Sequence, residues 1–116
     1  MHELSIALSI VDGVLEELQT RGGSRASVIY LRVGRLSGVD KDALRFSYEI
    51  VCQDTAVAHS QLEIEDVDVA VFCPACNVER PVRSLPTLAC AECGAQAPRV
   101  VRGQELEITG MEIVDG

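Results

Sequence analysis

Two short motifs, C-P-A-C at Cys73 and Cys76 and C-A-E-C at Cys90 and Cys93, constrain this chain more than anything else in it. Each C-x-x-C predicts a knuckle: a tight turn whose two sulfurs converge while backbone N–H groups point toward them. Thirteen residues separate the pairs, and two such knuckles supply four thiolates in a tetrahedron, suited to Zn(II) or to iron as in rubredoxin. Pro74 fixes the backbone of one turn, and Gly94 permits the left-handed residue that closes the other. Four sulfurs leave no coordination position open to water or substrate, so a metal held this way is structural. A lobe of about 35 residues cannot bury enough apolar surface to fold alone. Zinc contributes roughly 10–16 kcal/mol of apparent folding free energy in small finger peptides, enough to hold it together. The connection N-V-E-R-P-V-R-S-L-P-T-L-A reads as a short β-hairpin punctuated by proline, and the lobe as a zinc ribbon. A thioredoxin-type dithiol fits less well, because two pairs occur together and neither opens a predicted helix.

Around this lobe the chain reads as a small α+β layer. Leu4, Ala7, Leu8, Val11, Val14, Leu15 and Leu18 follow helical spacing over residues 4–19, and Gly22-Gly23 ends that helix. The β-branched run S-V-I-Y-L-R-V-G predicts a strand, and residues 34–38 turn the chain. Asp40 is a predicted N-cap for a second helix over 41–52, with Ala43, Leu44, Phe46, Ile50 and Val51 available for burial. Leu62 and Ile64 alternate with glutamates as in a half-exposed strand, and the alternation resumes out of phase at Val67, Val69 and Val71. The closing stretch puts Leu106 and Ile108 inward, then slips phase after Gly110 to Met111 and Ile113, as a β-bulge would cause. These two strands are expected to pair as neighbours. The expected fold is therefore α+β, a small sheet with two helices, formed by residues 1–66 and 104–116. Residues 67–103 are a zinc ribbon inserted between two sheet strands.

Composition narrows the function. The chain has 116 residues, 47% hydrophobic and 24% charged, as in a folded globular domain. Its formal net charge of -8 repels phosphate backbones and anionic lipid surfaces, which weighs against nucleic acid and membranes as partners. No apolar run approaches the ~20 residues needed to span a bilayer. The N-terminus lacks a basic region, and Asp12, Glu16 and Glu17 interrupt any signal core, so a cytoplasmic location is expected. Clustered cysteines in such a compartment bind metal more often than they form disulfides. Cys52, the fifth cysteine, reads as a small buried hydrophobe, and His59 as an exposed loop residue. With two histidines and no phosphate-binding glycine loop, an enzyme is disfavoured.

The chain opens M-H-E. An N-terminal amine, the His2 amide nitrogen and the His2 imidazole form two fused chelate rings in one plane, and the Glu3 amide completes a square of four nitrogens. Square-planar nitrogen suits Ni(II) or Cu(II), not Zn(II). The whole pattern, M-H-E-L-S-I-A-L-S-I-V, L-R-V-G-R-L-S-G-V, a helix, L-E-I-E, the paired C-x-x-C motifs and L-E-I-T-G-M-E-I, resembles the HypA/HybF family over Met1 to about Val114. Those proteins are nickel metallochaperones of [NiFe]-hydrogenase maturation. The resemblance implies that His2 carries nickel with Met1 and Glu3 as accompanying ligands, and that Cys73, Cys76, Cys90 and Cys93 hold a structural zinc. It departs from the pattern at Asn77, where many knuckles place glycine; asparagine tolerates the left-handed region. The implied partners are the maturation GTPase HypB, the hydrogenase large-subunit precursor and, in some organisms, urease accessory proteins. The rival reading is a zinc-ribbon interaction or nucleic-acid-associated module in which the terminal histidine is incidental.

Overall fold

The computed structural model describes residues 2–85, 87–97 and 99–114. Its elements run α1 (Glu3–Thr20), β1 (Arg25–Gly34), α2 (Lys41–Val51), β2 (Gln61–Val67), β3 (Ala70–Cys73), β4 (Val78–Pro81), β5 (Arg99–Arg102) and β6 (Leu106–Val114). They form two three-stranded sheets, β2-β1-β6 and β4-β3-β5. The α+β class is as expected. The chain divides into two compact units, one of Met1–Leu31, Gly38–Glu65 and Glu107–Gly116, the other of Arg32–Ser37 and Asp66–Leu106. Among the described residues no helix is long and apolar enough to cross a membrane.

Local chemistry sets the helix ends. The His2 carbonyl accepts the Ile6 N–H at 2.9 Å and so starts α1. Past its last turn, Gly22 and Gly23 take φ of 86° and 80°. Their N–H groups return to Gln19 O and Leu18 O, a Schellman closure that satisfies the last carbonyls. Asp40 caps α2 by accepting from the N–H groups of Asp42 and Ala43 at 3.0 and 3.1 Å.

The buried faces differ from those expected. Helix α1 buries Ala7, Ile10, Val11, Val14 and Leu18, together with Glu3, whereas Leu4 and Leu8 are 51% and 47% exposed. Glu3 fixes this rotation, because its carboxylate accepts the Asp40 N–H at 3.0 Å and turns the 3-7-10-14 stripe inward. Helix α2 buries Leu44 and Tyr48, with Cys52 continuing the stripe at its C-cap; Phe46 and Ile50 are 65% and 48% exposed. Tyr48 is tolerated inside because its hydroxyl meets Ser60 Oγ at 2.5 Å.

The expectation that β2 and β6 are neighbours is corrected: β1 lies between them. β1 is the strand with the most buried aliphatic side chains, Ile29, Leu31 and Val33, whereas β2 and β6 carry glutamates suited to edges. At the end of β1 the Gly34 N–H bonds Glu105 O at 2.8 Å and the Arg35 N–H bonds Val67 O at 3.0 Å. The segment between β2 and β6 thus leaves and returns on the two sides of one strand. Leu62, Val67, Val69 and Val71 are buried as their alternation predicts. In β6, Met111 and Ile113 are half-buried, but Leu106 and Ile108 are not inward. Gly13 and Val14 of α1 line a groove of about 510 Å³ with Ile108, and glycine offers no side chain to cover it.

Gly34 is required by packing. A Cβ there would lie 2.1 Å from the carbonyl carbon and oxygen of Gly103 and 2.6 Å from Gln104 N, all backbone atoms. Gly34→Ala is expected to destabilise the unit of Arg32–Ser37 and Asp66–Leu106 by about 3 kcal/mol or more. A denaturant midpoint unchanged by the substitution would contradict that packing.

Candidate metal centres

The four cysteines are brought together by backbone turns of one kind. Cys73 ends β3, and the chain doubles back so that the Asn77 N–H bonds Cys73 O at 2.7 Å and the Cys76 N–H points at Cys73 Sγ from 3.4 Å. In the second knuckle the Gly94 N–H bonds Cys90 O at 2.8 Å. Asn77 and Gly94 close the turns with φ of 60° and 75°, the left-handed geometry expected of both. The first knuckle is itself the turn of a hairpin: β3 pairs antiparallel with β4 from Ala70↔Pro81 to Cys73↔Val78. The short hairpin expected in the 77–89 connection is reduced to an antiparallel return at Val82↔Cys90, with the Arg83 N–H on Ala89 O. Pro81, without an N–H, ends β4, and between it and β5 the described residues form the isolated bridges Val82↔Cys90 and Ala89↔Gln96. The Ala91 N–H on Pro81 O, at 3.0 Å, helps draw the second knuckle onto the first.

The resulting cluster has the dimensions of a metal site. Cys73 Sγ lies 3.5 Å from Cys93 Sγ and Cys76 Sγ lies 4.0 Å from Cys90 Sγ, and all four sulfurs fall within 4.8 Å of one another. A tetrahedron with metal–sulfur bonds of about 2.3 Å has edges of about 3.8 Å. Cys73 and Cys90 are buried, Cys76 is half-buried and Cys93 is exposed. The Cys93 and Glu92 N–H groups pull Cys90 down to about 6. For Cys93 the Ala95 N–H acts in the same direction, but the Cys73 sulfur, loss of solvent and the Cys90 and Cys76 sulfurs together outweigh it and push the thiol up to about 11. A divalent ion lets all four ionise.

Two residues beside the cluster were not singled out by the sequence. Arg80 has its Nε buried without a hydrogen-bond acceptor among the described residues, and the Arg83 guanidinium lies against the Gly94 turn. Their spacing in E-R-P-V-R is the signal that could have marked them.

At the other candidate centre, Met1 lies outside the described residues. His2 is exposed and its imidazole makes no capping bond to α1. The Glu3 carboxylate is buried and directed at the N-terminus of α2. His59 is exposed, in a left-handed loop residue, as expected. Cys52 is buried, its thiol is directed at Glu49 O, and burial pushes its pKa up, as suits a core residue.

Comparison with known proteins agrees with this layout. Residues 1–113 match the family model "Hydrogenase/urease nickel incorporation, metallochaperone, hypA". The chain belongs to the HypA family. It is 42% identical over 112 residues to the hydrogenase maturation factor HypA of Chloroflexus aggregans, covering 97% of this chain and 98% of that one. It is 39% identical over 115 residues to the HypA of Roseiflexus sp. strain RS-1, covering 99% and 94%. The solution structure of the Ni metallochaperone HypA from Helicobacter pylori shares the fold, with a TM-score of 0.66, 21% identity and full coverage of both chains. HypA proteins are metallochaperones and hydrogenase maturation factors, and the four-cysteine group fits the zinc ribbon of the fold.

Proposed function

We propose that this chain binds Ni(II) at Met1-His2-Glu3 and delivers it to the hydrogenase large-subunit precursor, with Cys73, Cys76, Cys90 and Cys93 holding a structural zinc. The observation that carries the reading is the family match, which includes the M-H-E start and both knuckles. Nickel is cargo here. The amine of Met1, the amides of His2 and Glu3 and the His2 imidazole supply a square of nitrogens. First-turn amides stand outside the helix ladder, so drawing on them leaves α1 intact. An exposed terminal site suits transfer by ligand exchange, because no burial has to be undone. Nickel chemistry belongs to the unit containing α1 and α2, and zinc to the unit containing β3, β4 and β5. The partners are the GTPase HypB and the hydrogenase precursor in the cytoplasm, with urease accessory proteins as a further destination.

Proton competition tests the ligand set. Each proton released on binding makes the apparent affinity fall about tenfold per pH unit on acidification. Nickel titrations of zinc-loaded protein with an authentic N-terminus are therefore expected to show far weaker binding at pH 6 than at pH 8. Equal affinity at the two values rules out amide and amine ligands.

A further inference from the structure

Helices α1 and α2 leave large apolar side chains exposed, Leu4 and Leu8 on one and Phe46 and Ile50 on the other, and the fold brings them to one place. The two helices pack together and run parallel, because the chain reverses after α1 and again after β1, and Glu3 on the Asp40 N–H joins their N-termini. Gly13 and Glu17 of α1 face Ile108 and Thr109 of β6, and Arg45 of α2 reaches the Leu62 carbonyl of β2 at 2.5 Å. With β1 between those strands, α1 lies on the β6 side and α2 on the β2 side. At about 100° per residue, the flank of α1 opposite Gly13 and Glu17 carries Leu4, Leu8 and Leu15 and is turned toward α2. The flank of α2 opposite Arg45 carries Ala43 and Ile50, with Phe46 at its crest, and is turned toward α1. An apolar groove therefore runs between the two helices on their solvent side.

Its rims are acidic. Asp12 and Glu16 follow Leu8 at helical intervals along α1, Asp42 and Glu49 flank Phe46 on α2, and all four are exposed. Helix α1 has no basic residue. On α2, Arg45 is turned away to β2 and Lys41 is half-buried. Arg21, just past α1, is paired with Glu17 on the opposite flank. A second copy of the chain would set these carboxylates against themselves, and an anionic lipid surface would be repelled. The charge that complements the rims is positive.

We propose that this groove seats an amphipathic helix of a partner protein, apolar on one face and edged by lysine or arginine. Leu8, Phe46 and Ile50 receive its apolar anchors, and the four carboxylates meet its cations. The lining belongs to neither metal site. Because both helices start at the Glu3–Asp40 bond, one end of the seated helix lies beside His2 of the proposed nickel site.

The test uses the full zinc-loaded chain and a fluorescein-labelled synthetic helix of about four turns, with leucine on one face and lysine on the other, followed by fluorescence anisotropy. Binding is expected, and Phe46→Ser or Leu8→Ser should weaken it about tenfold, the factor carried by one buried apolar anchor. Asp12→Asn or Glu49→Gln should weaken it about two- to fivefold and reduce its dependence on salt. The same peptide with glutamate for lysine should bind at least about tenfold more weakly. Ile108→Ser, at an exposed apolar residue of β6, should bind like wild type. No binding by wild type overturns the proposal, as do equal affinities for the two peptides or wild-type affinity in Phe46→Ser and Leu8→Ser. So does a loss in Ile108→Ser equal to that in Phe46→Ser. If Phe46→Ser does not fold, Leu8→Ser and Glu49→Gln decide by the same criteria. A dimer in sedimentation that Phe46→Ser dissociates makes a second copy the occupant and also overturns the proposal. Nickel titration separates the readings. A chain that seats the lysine peptide but binds no nickel overturns the nickel site alone, whereas one that binds nickel and ignores the peptide overturns the groove alone.

Discussion

Zinc-loaded protein carrying His2→Ala is expected to bind Ni(II) at least about a hundredfold more weakly than wild type, the upper end of what even an outer partner of a metal ligand contributes. The square-planar visible spectrum should vanish while zinc content and fold stay as they were. The fold is expected to survive because His2 starts α1 through its carbonyl, which alanine retains, and not through its side chain. The imidazole is exposed, so no packing is lost with it. Glu3 provides the internal contrast. Its carboxylate is buried against the N-terminus of α2, so Glu3→Ala should lower thermal stability while preserving the backbone amide nitrogen of the proposed nickel site. A nickel site indifferent to His2, or seen only when zinc leaves the cysteines, would transfer the functional reading to a zinc-ribbon interaction module.

Features that depend on a few adjacent residues were legible in the sequence. Gly22-Gly23 ends α1, Asp40 caps α2, and Asn77 and Gly94 close the knuckles, each because its backbone angle or its short polar side chain is decided locally. The four-cysteine cluster was legible for the same reason: spacing alone makes a knuckle. What spacing could not decide was azimuth and pairing. Leu4 and Phe46 sit at helical intervals as regular as those of Ala7 and Leu44, and only the Glu3–Asp40 bond and the Tyr48–Ser60 contact select which stripe turns inward. Likewise, two alternating strands announce edges without saying which strand lies between them. Arg83 stood in a connection read for its prolines, and its place against the Gly94 turn exists only once the chain has folded back between Arg83 and Ala89. The role proposed for His2 came from resemblance, because a lone terminal histidine has no structural signature of its own.

Removing the metal should have the largest effect on the fold. Cys73→Ser, or a chelator strong enough to strip the cysteines, is expected to unfold the unit of Arg32–Ser37 and Asp66–Leu106. Among the described residues, its buried aliphatic side chains larger than alanine are Val33, Val67, Val69 and Val71. Each is worth about 1.5–3 kcal/mol, so one zinc, at roughly 10–16 kcal/mol, contributes at least about as much as all four together. The other unit has Leu18, Ile29, Leu44 and Tyr48 fully buried and requires no metal to assemble that core. Amide NMR spectra of the stripped protein should therefore lose the dispersed signals of β3, β4 and β5 while keeping those of α1 and α2. Restoring zinc should return them. A Cys73→Ser protein that keeps β3–β4 pairing with wild-type stability would show that the valines suffice, and the cysteines would then need a role other than structure. Loss of every signal at once would show instead that α1, which starts at the proposed nickel site, depends on the four-cysteine site for its folding, which would make metal occupancy there a condition for carrying nickel at all.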